Sequence, residues 1–180
     1  MKIKLFIKYV LFLVLIIVFS NCSKKPIEQS SKNNKDTVKS VQKTSFDINT
    51  VSIDNLPQNI KDYIALNYKE YKITDAASDP LCTGGDAIDV SIEKANETSL
   101  SLIFKPDGTY IQKEEDIQFI NAPQKVKEVI KTKYGSYKAS DQIEKLTLAD
   151  NMTQYLIDIE KDTVSKEVII TLDGQIVCEN

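Results

Sequence analysis

Apolar positions change period twice along the chain, and then the whole change is repeated. Ile60, Tyr63, Ile64 and Tyr68 recur at three- and four-residue spacing among polar neighbours. That stripe predicts an amphipathic helix, and Pro57 suits its first turn, where a missing N–H costs nothing. The period then falls to two. Ile88, Val90 and Ile92 alternate with Asp89, Ser91 and Glu93, and Leu100, Leu102 and Phe104 follow. The chain turns at Pro106-Asp107-Gly108 and returns through Tyr110. Asp-Gly between alternating runs predicts a hairpin. A shorter strand near Tyr71 to Ala76 precedes these three.

The second passage runs 66 residues later. Leu56-Pro57-Gln58 is answered by Ala122-Pro123-Gln124, Tyr68 by Tyr134, Tyr71-Lys72 by Tyr137-Lys138, and Asp107-Gly108 by Asp173-Gly174. Val126, Val129, Ile130 and Tyr134 form the second helical stripe. Tyr155, Ile157 and Ile159, then Val168 and Ile170, form the second set of alternating strands, after a short one near Lys138 to Ile143. Each unit therefore reads as a helix followed by four antiparallel strands, and the duplication predicts an α+β architecture of two such repeats. Residues 51–118 form the first and 119–180 the second. The helix-spaced tyrosines read as core rather than as a binding box. The Asp-Gly pairs read as turns, since the further oxygens of a calcium loop are missing.

Leu56-Pro57, Tyr68 and the run Leu102 to Gly108, with Pro123, Tyr134 and Ile170 to Gly174 in the second copy, resemble the PepSY-like, β-lactamase-inhibitor-like domains of exported bacterial proteins. The resemblance implies one curved sheet with helices on one face, and a non-enzymatic role. The family's prototype binds its target with an aromatic-rich concave face. Here the outward strand positions carry no Trp and few Tyr, so that target is not carried over.

The first 49 residues have a different character. Lys2, Lys4 and Lys8 precede an apolar run from Tyr9 to Phe19. Eleven apolar residues are too few to span about 30 Å of hydrocarbon, so residues 1–21 read as a signal peptide. Cys22 follows directly and resembles a bacterial lipoprotein processing site, although Phe19 and Asn21 depart from the usual residues before the Cys. Residues 22–50 then read as a lipidated Cys and a polar tether, with too little apolar surface to offset ordering entropy. Its reach is roughly 30 Å. The expectation is a membrane-anchored lipoprotein of the bacterial cell envelope.

Composition narrows the chemistry. There is no His, Trp or Arg, and all 23 basic residues are Lys. His-dependent nucleophiles and most zinc sites are excluded, and no bidentate guanidinium is available. No carboxylate pair of glycosidase type can be singled out. No catalytic residue, metal ligand or cofactor is therefore expected. From Leu56 onward there are 14 Lys against 22 Asp and Glu, a net of −8, which speaks against nucleic acid.

Two candidate features remain. Cys82 and Cys178 permit one disulfide, with the geometry undecided. If Ile88, Val90, Leu102 and Phe104 face the helices, then Ile103, Ile111, Leu156, Ile169 and Val177 fall on the opposite phase. They are either an apolar contact stripe or a consequence of β-propensity. As a stripe they would capture an envelope or extracellular protein or peptide, in the manner of an inhibitor. The alternative is a structural role, with the stripe closing a homodimer.

Overall fold

The structure is a computed structural model and describes residues 50–180. The signal peptide, Cys22 and the tether up to residue 49 lie outside the described residues.

Helix α1 (Gln58–Asn67) leads into β1 (Lys72–Ser78), β2 (Ile88–Glu93), β3 (Leu100–Phe104) and β4 (Tyr110–Gln118). One 3-10 turn (Phe119–Asn121) precedes α2 (Gln124–Lys133). Then come β5 (Lys138–Ala139), β6 (Gln142–Leu148), β7 (Thr153–Lys161), β8 (Val164–Thr171) and β9 (Ile176–Glu179). Pro57 and Pro123 sit one residue before the helices, and their carbonyls accept from Lys61 and Lys127 N–H at 3.3 and 3.1 Å.

The expected pair of helix-plus-four-strand repeats is corrected here. The described residues build one antiparallel nine-stranded sheet, dominated by strands, with two short α-helices among them. The strand order is β1-β2-β3-β4-β6-β7-β8-β9, with β5 also on β7. Two causes are visible. First, β4 pairs with β6 through an uninterrupted ladder from Gln112↔Leu148 to Gln118↔Gln142, so the boundary between the supposed units is ordinary sheet. Second, the strand expected near Lys138 to Ile143 is split. Ser140 N–H donates to Asp158 O at 2.9 Å, and Asp141 O accepts from Phe119 N–H at 2.8 Å. The break leaves β5 on β7 and frees β6 to pair on both sides. The aligned position in β1, Thr74, is only a bulge.

The helices cover one side. Ile60 and Ile64 of α1 pack with Ile88, Val90, Leu102 and Phe104. Val126 and Ile130 of α2 pack with Tyr155, Ile157, Val168 and Ile170. Tyr63 stacks on Tyr110 at 4.8 Å and meets the edge of Phe104 at 5.5 Å. Between the two cores, Glu115 pairs with Lys113 (3.0 Å) and Lys145 (3.5 Å).

Both Asp-Gly hairpin turns place their glycine in the left-handed region. Gly108 (φ +83°) closes the β3–β4 turn, with its N–H on Lys105 O at 2.8 Å. Gly174 (φ +90°) does the same for β8–β9, on Thr171 O at 3.0 Å. Any L side chain there is strained. At Gly108 a Cβ would also meet Asn59, whose side chain donates to Asp107 O at 2.8 Å.

Phe104 and Ile170 are fully buried, one in each core. Truncating Phe104 to Ala should cost about 3–5 kcal/mol and Ile170 to Ala about 2–5 kcal/mol. Both are read from the denaturant midpoint. Ile120→Ala, at a residue 79% exposed, should stay within about 0.5 kcal/mol. A wild-type midpoint for Phe104→Ala would show that the core is assigned to the wrong phase.

Candidate functional site

A sheet covered by helices on one side normally turns polar side chains to the other. Two strands depart from this. In β3 Leu102, Ile103 and Phe104 are all buried, and in β8 Val168, Ile169 and Ile170 are all buried. The middle residue of each triplet points away from the helices and belongs to neither core. Leu146 of β6 is a third such residue and is fully buried.

The segment that reaches this face is the connection between β1 and β2, residues 79–87. Cys82 within it is bonded to Cys178 on β9, with Cα atoms 6.1 Å apart. Since β1 and β9 are the two edges of the sheet, the bond joins opposite edges across the face the helices leave open. The sheet must curl toward that side to allow it. Ala87 at the root of the segment is fully buried, and the charge of Asp79 is felt by both Glu114 and Glu144 on the central strands.

Cross-strand registers place the side chains of this face in rows. One row runs Asp89↔Ile103↔Gln112↔Leu148. Another runs Ser91↔Ser101↔Glu114↔Leu146. A third runs Asp116↔Glu144↔Leu156↔Ile169↔Cys178. An apolar floor of Ile103, Leu146, Leu156 and Ile169 therefore adjoins a group of carboxylates. A cleft of about 220 Å³ opens beside it among Ser91, Ser99, Ser101, Glu114, Asp116 and Glu144.

The sequence candidates are distributed as follows. Ile103 is fully buried and Ile169 is 8% exposed, so the reading of these two as open-surface residues is corrected: the 79–87 connection is bonded to Cys178, the cross-strand neighbour of Ile169. Leu156 is half-buried in the same row as Ile169 and Cys178. Ile111 and Val177 do not follow simple alternation. Each is the extra residue of a bulge, where Ile103↔Gln112 is followed by Phe104↔Tyr110, and Ile169↔Cys178 by Ile170↔Ile176. Ile111 is half-buried and Val177 is 41% exposed. Cys22 lies outside the described residues. Leu146, Glu114 and Glu144 were not singled out by periodicity, and Asp89 entered only as a polar position alternating with Ile88 and Val90. The consecutive apolar triplets were the available signal, because three buried residues in a row mark a strand covered on both faces.

The carboxylates are perturbed by their setting. Burial pushes Glu114 up to about 8, with the charge of Glu144 the next cause. Burial pushes Glu144 up to about 7, followed by the charges of Asp116 and Asp158. Burial also raises Asp89 and Asp79. Gln112 Nε2 donates to Glu114 Oε1 at 2.7 Å, whereas Asp89 Oδ1 is buried without a hydrogen-bond partner. Among the described residues, no group of His, Cys, Asp and Glu is arranged to hold a metal ion.

These shifts set a pH dependence. Glu114 and Glu144 hold protons more tightly in the folded chain than in the unfolded one, whose Glu value is about 4.3. Their contribution is fully present below that value and is lost as pH rises through the folded values near 7 and 8. Unfolding free energy from urea titration should fall between pH 5 and 8.5, on the order of 2 kcal/mol. Glu114→Gln should fall less over the same interval. A wild-type stability that climbs with pH across this window would contradict the burial of the pair.

No protein-family model matches the chain, and no curated protein sequence does. Solved structures are similar. A DUF2874 family protein from Bacteroides uniformis superposes with a TM-score of 0.51 at 9% identity, covering 69% of this chain and 88% of its own. A Bacteroides eggerthii protein, provisionally described as periplasmic, gives 0.51 at 12% identity, over 69% and 87% of the two chains. A BLIP-like protein from Bacteroides fragilis gives 0.49 at 16% identity, over 69% and 86%. Identities this low speak for the fold alone: the chain has the fold of the DUF2874 structure.

Proposed function

We propose that this chain is a lipid-anchored binding module of the bacterial cell envelope, without catalytic activity, that captures a protein or peptide on the sheet face opposite the helices, in the manner of an inhibitor. One observation carries the reading. The helices already supply two complete cores on their own side, yet the other face holds a further apolar floor bordered by carboxylates. Apolar area beyond the needs of the core often marks a contact surface. Leu156 and Val177 are the parts of this region that stay accessible beside the covered floor. The envelope location is supported by the signal-like N-terminus ending at Cys22 and by the provisional periplasmic description of the B. eggerthii protein.

A second reading, self-association, is favoured by one feature. Among the described residues, strands β1 and β9 each keep one unpaired edge, and an unpaired edge is a template for another strand. Sedimentation equilibrium of the full chain in detergent distinguishes the readings, since self-association requires a mass that rises with protein concentration.

Leu156→Lys should weaken capture of the envelope partner at least about tenfold while leaving the thermal melt within a few degrees, because a charge at a half-exposed site is tolerated until an interface desolvates it. Undiminished capture by a folded Leu156→Lys protein removes this face from consideration. Separately, Cys22→Ala should release the protein from the membrane fraction and abolish the mass of the lipid-modified form. Equal membrane association of wild type and variant would refute anchoring through Cys22.

A further inference from the structure

We propose that the Cys82–Cys178 disulfide is a redox latch, whose reduction frees the segment between β1 and β2 from the opposite sheet edge and uncovers the apolar floor of Ile103, Leu146 and Ile169. The inference rests on the proposed binding face only in regulating access to it.

The placement of the bond is the first argument. It joins residues 96 apart in sequence, one in a connection at the β1 edge and one on the β9 edge. The second argument is what else holds the segment. Its backbone hydrogen bonds are internal: Asp79 N–H donates to Ala87 O at 3.0 Å, Leu81 N–H to Gly85 O at 3.0 Å and Gly84 N–H to Leu81 O at 2.8 Å. They shape the segment as an extension of the β1–β2 hairpin. Among the described residues, no hydrogen bond or ion pair ties it to β6, β7, β8 or β9. The tie across the face is the disulfide, with whatever apolar contact Leu81 and Cys82 add.

Charge favours release where these acids are ionised. Asp79 on the segment acts on Asp89, Glu114 and Glu144. Glu114 and Glu144 hold their protons up to about 8 and 7, so once the covalent bond is gone it is toward and above those values that repulsion opposes the closed position. The bond is also within reach of a reductant. Cys82 and Cys178 are both half-buried, and the tip at Gly84 and Gly85 stands in open space. Finally, neither cysteine belongs to either helix-side core, so opening the latch takes no side chain out of those two cores.

The chemistry is thiol–disulfide exchange with a dithiol reductant. A reductant thiolate attacks one sulfur, forms a mixed disulfide and expels the other cysteine as thiolate. The second reductant thiol then displaces the first cysteine. Two electrons pass to the protein, which gains two thiols, and the reductant leaves as its own disulfide.

The test uses the full chain in detergent, oxidised and then reduced with dithiothreitol, followed by hydrogen exchange and mass spectrometry. Amides of residues 79–87 should exchange at least about tenfold faster after reduction, while those of β2 and β8 keep their protection. A neutral solvatochromic dye should gain fluorescence only in the reduced state. The Cys82→Ser/Cys178→Ser variant should show the open behaviour with or without reductant. Unchanged exchange at 79–87 overturns the latch. Loss of protection in β2 and β8 also overturns it, because the bond would then be a structural staple. Opening without any change in partner capture leaves the latch standing and refutes the proposed capture face.

Discussion

The ladder between β4 and β6 is the interaction on which the rest of the structure depends. Without it, the two halves would be separate small layers, each with an unpaired edge. With it, Gln112 to Gln118 and Gln142 to Leu148 become the middle of one sheet. Its two faces meet different demands. On the helix side, the middle carries the ion pairs of Glu115 with Lys113 and Lys145, and Ile117 and Ile143, which pack with the core under α2. On the other side the same strands carry Gln112, Glu114, Glu144 and Leu146. Because the ladder makes that side continuous, a twisted sheet can curl until its first hairpin connection meets its last strand.

The disulfide takes advantage of that curl. A bond between residues 96 apart removes much freedom from the unfolded chain, about 4–5 kcal/mol in the chain-entropy account. It also keeps the second face of β3 and β8 out of water. Those strands are buried on both sides, which is unusual for an antiparallel sheet with helices on only one. The 66-residue correspondence of Ile103 with Ile169 shows that both halves contribute to this third apolar patch, while the covering segment comes only from the first. Gln112 aligns with Cys178, so the bridge joins the two halves but is not part of the repeated pattern.

Local features were legible in the sequence because they depend on near neighbours. The stripes of Ile60 and Ile64, and of Val126 and Ile130, mark α1 and α2. The alternation of Ile88, Val90 and Ile92 marks β2, and that of Tyr155, Ile157 and Ile159 marks β7. Gly108 and Gly174 mark turns that only a left-handed residue closes without strain. What was not legible depends on distant partners. No local signal says that β4 will pair with β6, or that the aligned positions Thr74 and Ser140 will give a bulge in one case and a break in the other. The phase of Ile111 and Val177 was misjudged because a bulge adds one residue and resets the alternation. The burial of Ile103 on the phase opposite the helices goes with a bond between Cys82 and Cys178 whose geometry sequence cannot supply.

The carboxylates beside the floor argue that this face is not merely a second core. A face shaped for stability alone would place apolar or neutral residues at Asp89, Glu114 and Glu144, since burying an unpaired carboxyl is costly. Instead three acids from different strands share one partly dry space with Asp79. One of their oxygens, Asp89 Oδ1, has no hydrogen-bond partner. Gln112 satisfies only one oxygen of Glu114. Departures of this kind from local consistency concentrate where a protein gives up stability for function. Here the departure lies beside apolar side chains that a single covalent tie keeps covered.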